Sequence, residues 1–206
     1  MKTEKICRLH GILNNGSAFC YYTDKMYECP RMPYSRCEGA TEFFADDTFA
    51  YNRTVSDLGG GFYRIDNEWE NVSGEEKTLN PMFRTGSLDR YIGVSIPDKN
   101  GKNVAPDKFV YAENPVLFTD LHVSGMSVSD TYMQAMALFT TVPGAAAGLG
   151  KTWEGGSVQY LMLPTQQLAA GGKYAATTYI YLTKPNPEHG GIDGVCKAVD
   201  DFLAKL

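Results

Sequence analysis

The residues whose spacing most resembles a chemical motif are Ala145-Ala-Ala-Gly-Leu-Gly150-Lys151-Thr152, which fit a relaxed phosphate-loop pattern with alanine in first place. In such a loop the backbone amides surround a phosphate, the lysine reaches it, and the following helix presents its positive end. Trp153-Glu-Gly155-Gly156 follows instead and would break a helix in its first turn. No apolar strand ending in aspartate follows as a magnesium partner. The stretch is therefore expected to be a flexible Gly/Ala loop between two strands, without nucleotide.

Four of the five cysteines, Cys7, Cys20, Cys29 and Cys37, lie in the first fifth of the chain. Cys7-Arg-Leu-His10 with Cys29 and Cys37 would offer thiolate and imidazole to zinc, but the second pair is spaced more widely than a usual knuckle. Two disulfides would suit a secreted chain. Buried thiols in a reducing compartment are the simplest reading, and no metal or cofactor is assigned. Asn15-Gly-Ser17, Asn52-Arg-Thr54 and Asn71-Val-Ser73 match the glycosylation pattern, which has meaning only in a secreted chain.

Nucleophilic and acid–base chemistry finds little support. Gly125-Met-Ser127-Val-Ser129 lacks the closing glycine of a nucleophile elbow. Asp120 and His122 share one face of a strand, yet no further ligand is identifiable, so they read as a polar edge pair. Asp46-Asp47, Glu75-Glu76 and Asp200-Asp201 are sequence neighbours whose side chains diverge. Converging carboxylates of the glycosidase type come from different elements and leave no local pattern. The expectation is a protein that is not an enzyme.

The 206 residues carry Lys+Arg 19 against Asp+Glu 24, a net charge of −5, with no basic run. That argues against reading a nucleic-acid backbone, where phosphate neutralisation supplies most of the affinity. Hydrophobic residues make up 43%, near the globular norm of about 45–50%, so disorder is not expected. The polar start lacks the apolar core of a secretory signal, and no stretch approaches the roughly 20 apolar residues of a membrane span. Synthesis in the cytoplasm is expected.

Residues 1–90 are expected to be an irregular, β-rich region or arm. They carry only short strand-like runs at Glu42-Phe43-Phe44 and Phe62-Tyr63-Arg64-Ile65, but several aromatics that need a surface to bury against, either as an ordinary meander of short strands folded onto the second half, the favoured reading, or as an arm draped over a neighbouring subunit. From Tyr91 strand signals become regular, with a hairpin signal at Asn100-Gly101 and strands expected at 108–111, 116–123, 131–142, 158–163 and 175–182. Residues 91–187 are thus expected to form an antiparallel β-sandwich, immunoglobulin-like or jelly-roll-like. Residues 188–206 repeat apolar positions at three and four, from Ile192 through Val195, Val199, Phe202 and Leu206, which predicts an amphipathic C-terminal helix.

Leu168, Gly171, Gly172 and Tyr174 before the long strand resemble the tyrosine corner of immunoglobulin-like sandwiches. The resemblance spans about twenty residues, departs in lacking the usual acidic residue and a disulfide partner, and implies that the Tyr174 hydroxyl bonds back to upstream backbone.

The fold class expected is mainly β. The role expected is a structural or assembly protein making several subunit contacts, of the kind found in bacteriophage capsid, neck or tail components of a virion. Pro143, Ala145, Ala146, Leu149, Phe202 and Leu206 are its interface candidates, since an uncharged loop and an apolar helix stripe suit protein partners. The alternative is a carbohydrate-binding or adhesive β-sandwich, with Trp69 and Trp153 as stacking platforms.

Overall fold

The computed structural model describes residues 20–21, 34–85, 96–97, 103–104, 110–113, 135–151, 157–183 and 192–206. The pattern that organises them is two-residue alternation. In the strand Phe49–Gly59, Phe49, Tyr51, Arg53 and Val55 are buried while the residues between them are half-exposed. In Phe62–Asn71 the buried set is Tyr63, Ile65, Asn67, Trp69 and Asn71. These two strands form a hairpin whose tip, Gly59-Gly60-Gly61, has positive φ at all three positions. At Gly61 a Cβ would stand 2.3 Å from the Leu182 carbonyl oxygen, so that position requires glycine.

In chain order the strands are β1 Cys20–Tyr21, β2 Tyr34–Glu38, β3 Thr41–Ala45, β4 Phe49–Gly59, β5 Phe62–Asn71, β6 Lys77–Leu79, β7 Pro81–Thr85, β8 Ile96–Pro97, β9 Asn103–Val104, β10 Val110–Glu113, β11 Ala135–Thr140, β12 Ala146–Lys151, β13 Ser157–Met162, β14 Gln166–Leu168 and β15 Lys173–Thr183. One sheet has the order β11-β15-β5-β4-β3-β2 and the other β1-β7-β13-β12-β10, with two short ribbons, β14-β6 and β8-β9. All pairings are antiparallel. The mainly β, antiparallel class with a C-terminal helix is therefore what the chain adopts. Trp69 of the first sheet meets Phe83 of the second edge-on at 6.0 Å, within a core that also takes in Leu79, Leu161 and Leu163.

The helix α1, Ile192–Leu203, lies on the opposite face of the first sheet. Phe202 stacks on Phe62 at 4.4 Å and meets Phe139 and Tyr179 edge-on, while Val199 is buried. Burying a Val- or Phe-sized side chain stabilises by about 1.5–3 kcal/mol, which is what fixes the helix there. Among the described residues no helix is long and apolar enough to cross a membrane.

Residues 34–85 form, in β2 to β5, a meander whose alternation is hidden by polar residues at inward positions. Both sheets draw strands from either side of residue 90, because β15 pairs with β5 and β13 with β7. The supposed Gly/Ala loop is the strand β12, bonded on both sides to β10 and β13. Its two ladders override the poor strand preference of Gly and Ala, and a strand through Gly150-Lys151 cannot open a phosphate-binding helix.

Candidate ligand site on the outer face

Register places the side chains of the first sheet in cross-strand rows. On the face away from the core, Arg36, Phe43, Asn52 and Glu68 form one row and Ala45, Ala50, Glu70 and Lys173 the next. A third row holds Thr41, Thr54, Asp66 and Thr177, closed by hydroxyl contacts of 2.8 Å between Thr41 and Thr54 and from Thr177 to Asp66. Two alanines where neighbours carry long side chains leave a depression. It is a cleft of about 120 Å³, bordered by Ser35, Arg36, Phe43, Asn52, Glu68 and Glu70 over Ala45 and Ala50.

The groups around this cleft are held in place. The Arg36 guanidinium lies 4.0 Å from the Phe43 ring centre and donates to Glu38 at 2.6 Å. Lys173 reaches Glu68 at 3.5 Å and Glu70 at 3.2 Å, and bonding to Glu70, together with the charge of Glu68, raises its pKa. The Asn52 amide donates to Glu68 at 3.5 Å. An aromatic ring, an amide and two carboxylates around a small apolar floor can pack against the C–H surface of a ligand while bonding its hydroxyl groups.

The inward face of the same strands carries a different pattern. Phe44, Tyr51, Trp69 and Tyr174 form a ladder of rings with successive centres 5.5, 4.8 and 5.7 Å apart. The adjacent row is polar and buried: Arg53 donates from Nε to Glu42 at 2.5 Å and pairs with it again through Nη2. The Tyr51 hydroxyl donates to Asn67 Oδ1 at 2.7 Å, and Asn67 Nδ2 donates to the carbonyls of Ile65 and Ala176 and to the Thr178 hydroxyl. Burial pushes the Tyr51 phenol far above its ordinary range, with Arg53 opposing and Glu42 adding to the shift. This row ties four strands together inside the sandwich.

No family model matches the chain, and no curated protein does. Similar solved structures include a galactose mutarotase-like protein from Lactobacillus casei ATCC 334, with 10% identity, 75% of this chain and 74% of that one covered, and a TM-score of 0.43. A putative aldose 1-epimerase from Escherichia coli K12 has 7% identity, 79% and 75% coverage and a TM-score of 0.42. A polysaccharide lyase has 15% identity and a TM-score of 0.46, over 82% of this chain but only 26% of that one. The likeness concerns the β-sandwich fold. The expectation of a non-enzyme is corrected: the similar structures are described as a galactose mutarotase-like protein and a putative aldose 1-epimerase.

The residues singled out from sequence scatter. Trp69 is fully buried in the ring ladder and cannot stack on a ligand. Trp153 lies outside the described residues, as do Cys7, His10, Cys29, Asp120, His122 and Ser127. Cys37 is exposed on β2, its thiol 3.5 Å from the Gly39 carbonyl, and the zinc and disulfide readings lie outside what is described. Among the described residues no three His, Cys, Asp or Glu side chains are grouped to hold a metal. Of the interface candidates, Ala145 is buried, Phe202 packs on the chain's own sheet, Ala146 and Leu149 belong to β12, and Pro143 and Leu206 are exposed.

The corner before β15 is pinned by Asn71, which the sequence marked only as part of a glycosylation pattern and which is fully buried. Asn71 Nδ2 donates to the carbonyls of Glu75, Leu168 and Ala169, and its Oδ1 accepts from the Ser73 amide and hydroxyl. Its backbone exchanges bonds of 2.9 Å with Gly171 and Gly172. The Tyr174 hydroxyl makes no hydrogen bond among the described residues; its ring stacks on Trp69 instead, and burial raises its pKa.

Proposed function

We propose that this chain is a carbohydrate-binding β-sandwich that takes one edge of a sugar into the outer-face cleft. The observation that carries the reading is the register that sets Phe43, Asn52, Glu68 and Glu70 around the Ala45–Ala50 floor. The cleft holds about the volume of four waters at roughly 30 Å³ each. That is too little to enclose a drug-sized ligand, for which pockets run to about 300 Å³ and more, and it suits the exposed edge of a ring at a chain end. Phe43 takes the stacking role first given to Trp69 and Trp153. A role as an assembly subunit has less support, because Ala145 and Phe202 are taken up by the chain's own core.

The test is a glycan array followed by titration of the best binder into the wild type and Phe43→Ala. Losing the ring contact is expected to cost about 1.5 kcal/mol, or tenfold in affinity, with the thermal midpoint nearly unchanged because Phe43 lies outside the buried core. Absence of any glycan binding, or equal binding by Phe43→Ala, refutes the reading.

A further inference from the structure

Resting on that carbohydrate reading, we infer that Glu68 and Glu70 make the cleft select for sugars bearing an amino group over neutral and acidic ones. Both carboxylates stand on β5 between the cleft and Lys173 on β15. Lys173 engages Glu68 Oε1 and Glu70 Oε2, and Asn52 also donates to Glu68 Oε1. Glu68 Oε2 and Glu70 Oε1 have no partner among the described residues. Each free oxygen keeps acceptor capacity. Charge points the same way: Arg36 is matched by Glu38, while one lysine serves two carboxylates, leaving one negative charge in excess at the cleft. An ammonium group on the bound ring would gain from that excess, and a uronate or sulfate would meet repulsion. The carboxylates are about two-fifths exposed, so the preference is modest and salt-sensitive.

The experiment titrates the full chain with a glucosamine oligomer, its N-acetylated counterpart and a uronate oligomer, at low salt and mildly acidic pH. The expected ratio of amino-sugar to N-acetylated affinity is about threefold, shrinking as salt is added, with the uronate weakest. In the double variant Glu68→Gln/Glu70→Gln that ratio falls to about one whatever the absolute affinities. Asp201→Asn, which removes a carboxylate on α1, keeps the wild-type ratio. A ratio near one in the wild type, a ratio surviving in the double variant, or a preference for the uronate overturns the inference. If all oligomers bind alike and Phe43→Ala weakens them, only the preference falls. If none binds through Phe43, the carbohydrate reading falls with it.

Discussion

Asn71→Ala is the substitution whose consequence can be worked most directly. The side chain is fully buried and its Nδ2 approaches three carbonyl oxygens at 2.8, 2.8 and 3.0 Å. An amide nitrogen has two hydrogens, so one of these is shared, and two donated bonds join two accepted from Ser73 at 3.0 and 2.6 Å. Four hydrogen bonds at about 1 kcal/mol net each predict a loss of about 4 kcal/mol, softened where the exposed Glu75 carbonyl can turn to water. With a urea slope of about 2 kcal/mol per molar, the unfolding midpoint should fall by about 2 M. Urea unfolding followed by circular dichroism measures this, with Tyr174→Phe as the control. The missing hydroxyl bond means Tyr174→Phe should cost under about 1 kcal/mol. If Tyr174→Phe costs more than Asn71→Ala, the corner is held by the tyrosine and the assignment to Asn71 is wrong.

Arg53→Met alone strands the buried Glu42 carboxylate and should cost about 3–5 kcal/mol, whereas Arg53→Met with Glu42→Leu should recover most of it; equal losses in single and double variants by urea unfolding would contradict this. Gly61→Ala should lower the thermal midpoint more than Gly39→Ala. Both glycines have positive φ, but only at Gly61 does a Cβ meet backbone, 2.3 Å from the Leu182 oxygen; equal shifts would show that the clash is relieved at no cost. Tyr51 and Tyr174 hold their protons more tightly folded than unfolded, chiefly through burial. The stability they lend is complete below the ordinary tyrosine pKa of about 10 and is lost as pH rises above it through their folded values. Part of the 13-tyrosine ultraviolet titration should therefore coincide with alkaline unfolding, and full titration with the circular dichroism intact would refute it.

How far the sequence discloses this protein depends on which residues face inward. The helix is legible because Ile192 to Leu203 keeps a single apolar stripe, and β11, β13 and β15 are legible because their runs are apolar or β-branched. β3, β4 and β5 are not, although they carry the candidate site. Glu42, Arg53, Asn67 and Asn71 occupy inward positions where alternation asks for apolar residues, so the period of two breaks at the strands' centres. Each is tolerable only because a partner arrives from another strand: Glu42 of β3 and Arg53 of β4 meet across a hairpin, while Asn67 meets Thr178 of β15 and Asn71 meets Leu168 of β14, far along the chain. A polar residue whose partner lies some hundred positions away reads locally as surface. The cleft was hidden for the complementary reason. Ala45, Ala50, Phe43 and Glu68 sit on three strands and have no fixed spacing, and only the antiparallel register makes two small residues neighbours under an aromatic ring. Trp69 drew attention because tryptophan is rare and suits stacking, yet a large ring at an inward position of a central strand is core by its parity. The inward parity of Tyr51, Ile65 and Trp69 and the outward parity of Phe43, Asn52 and Glu68 follow from one register. The same two-residue period therefore removes Trp69 from the ligand site and places Phe43 in it.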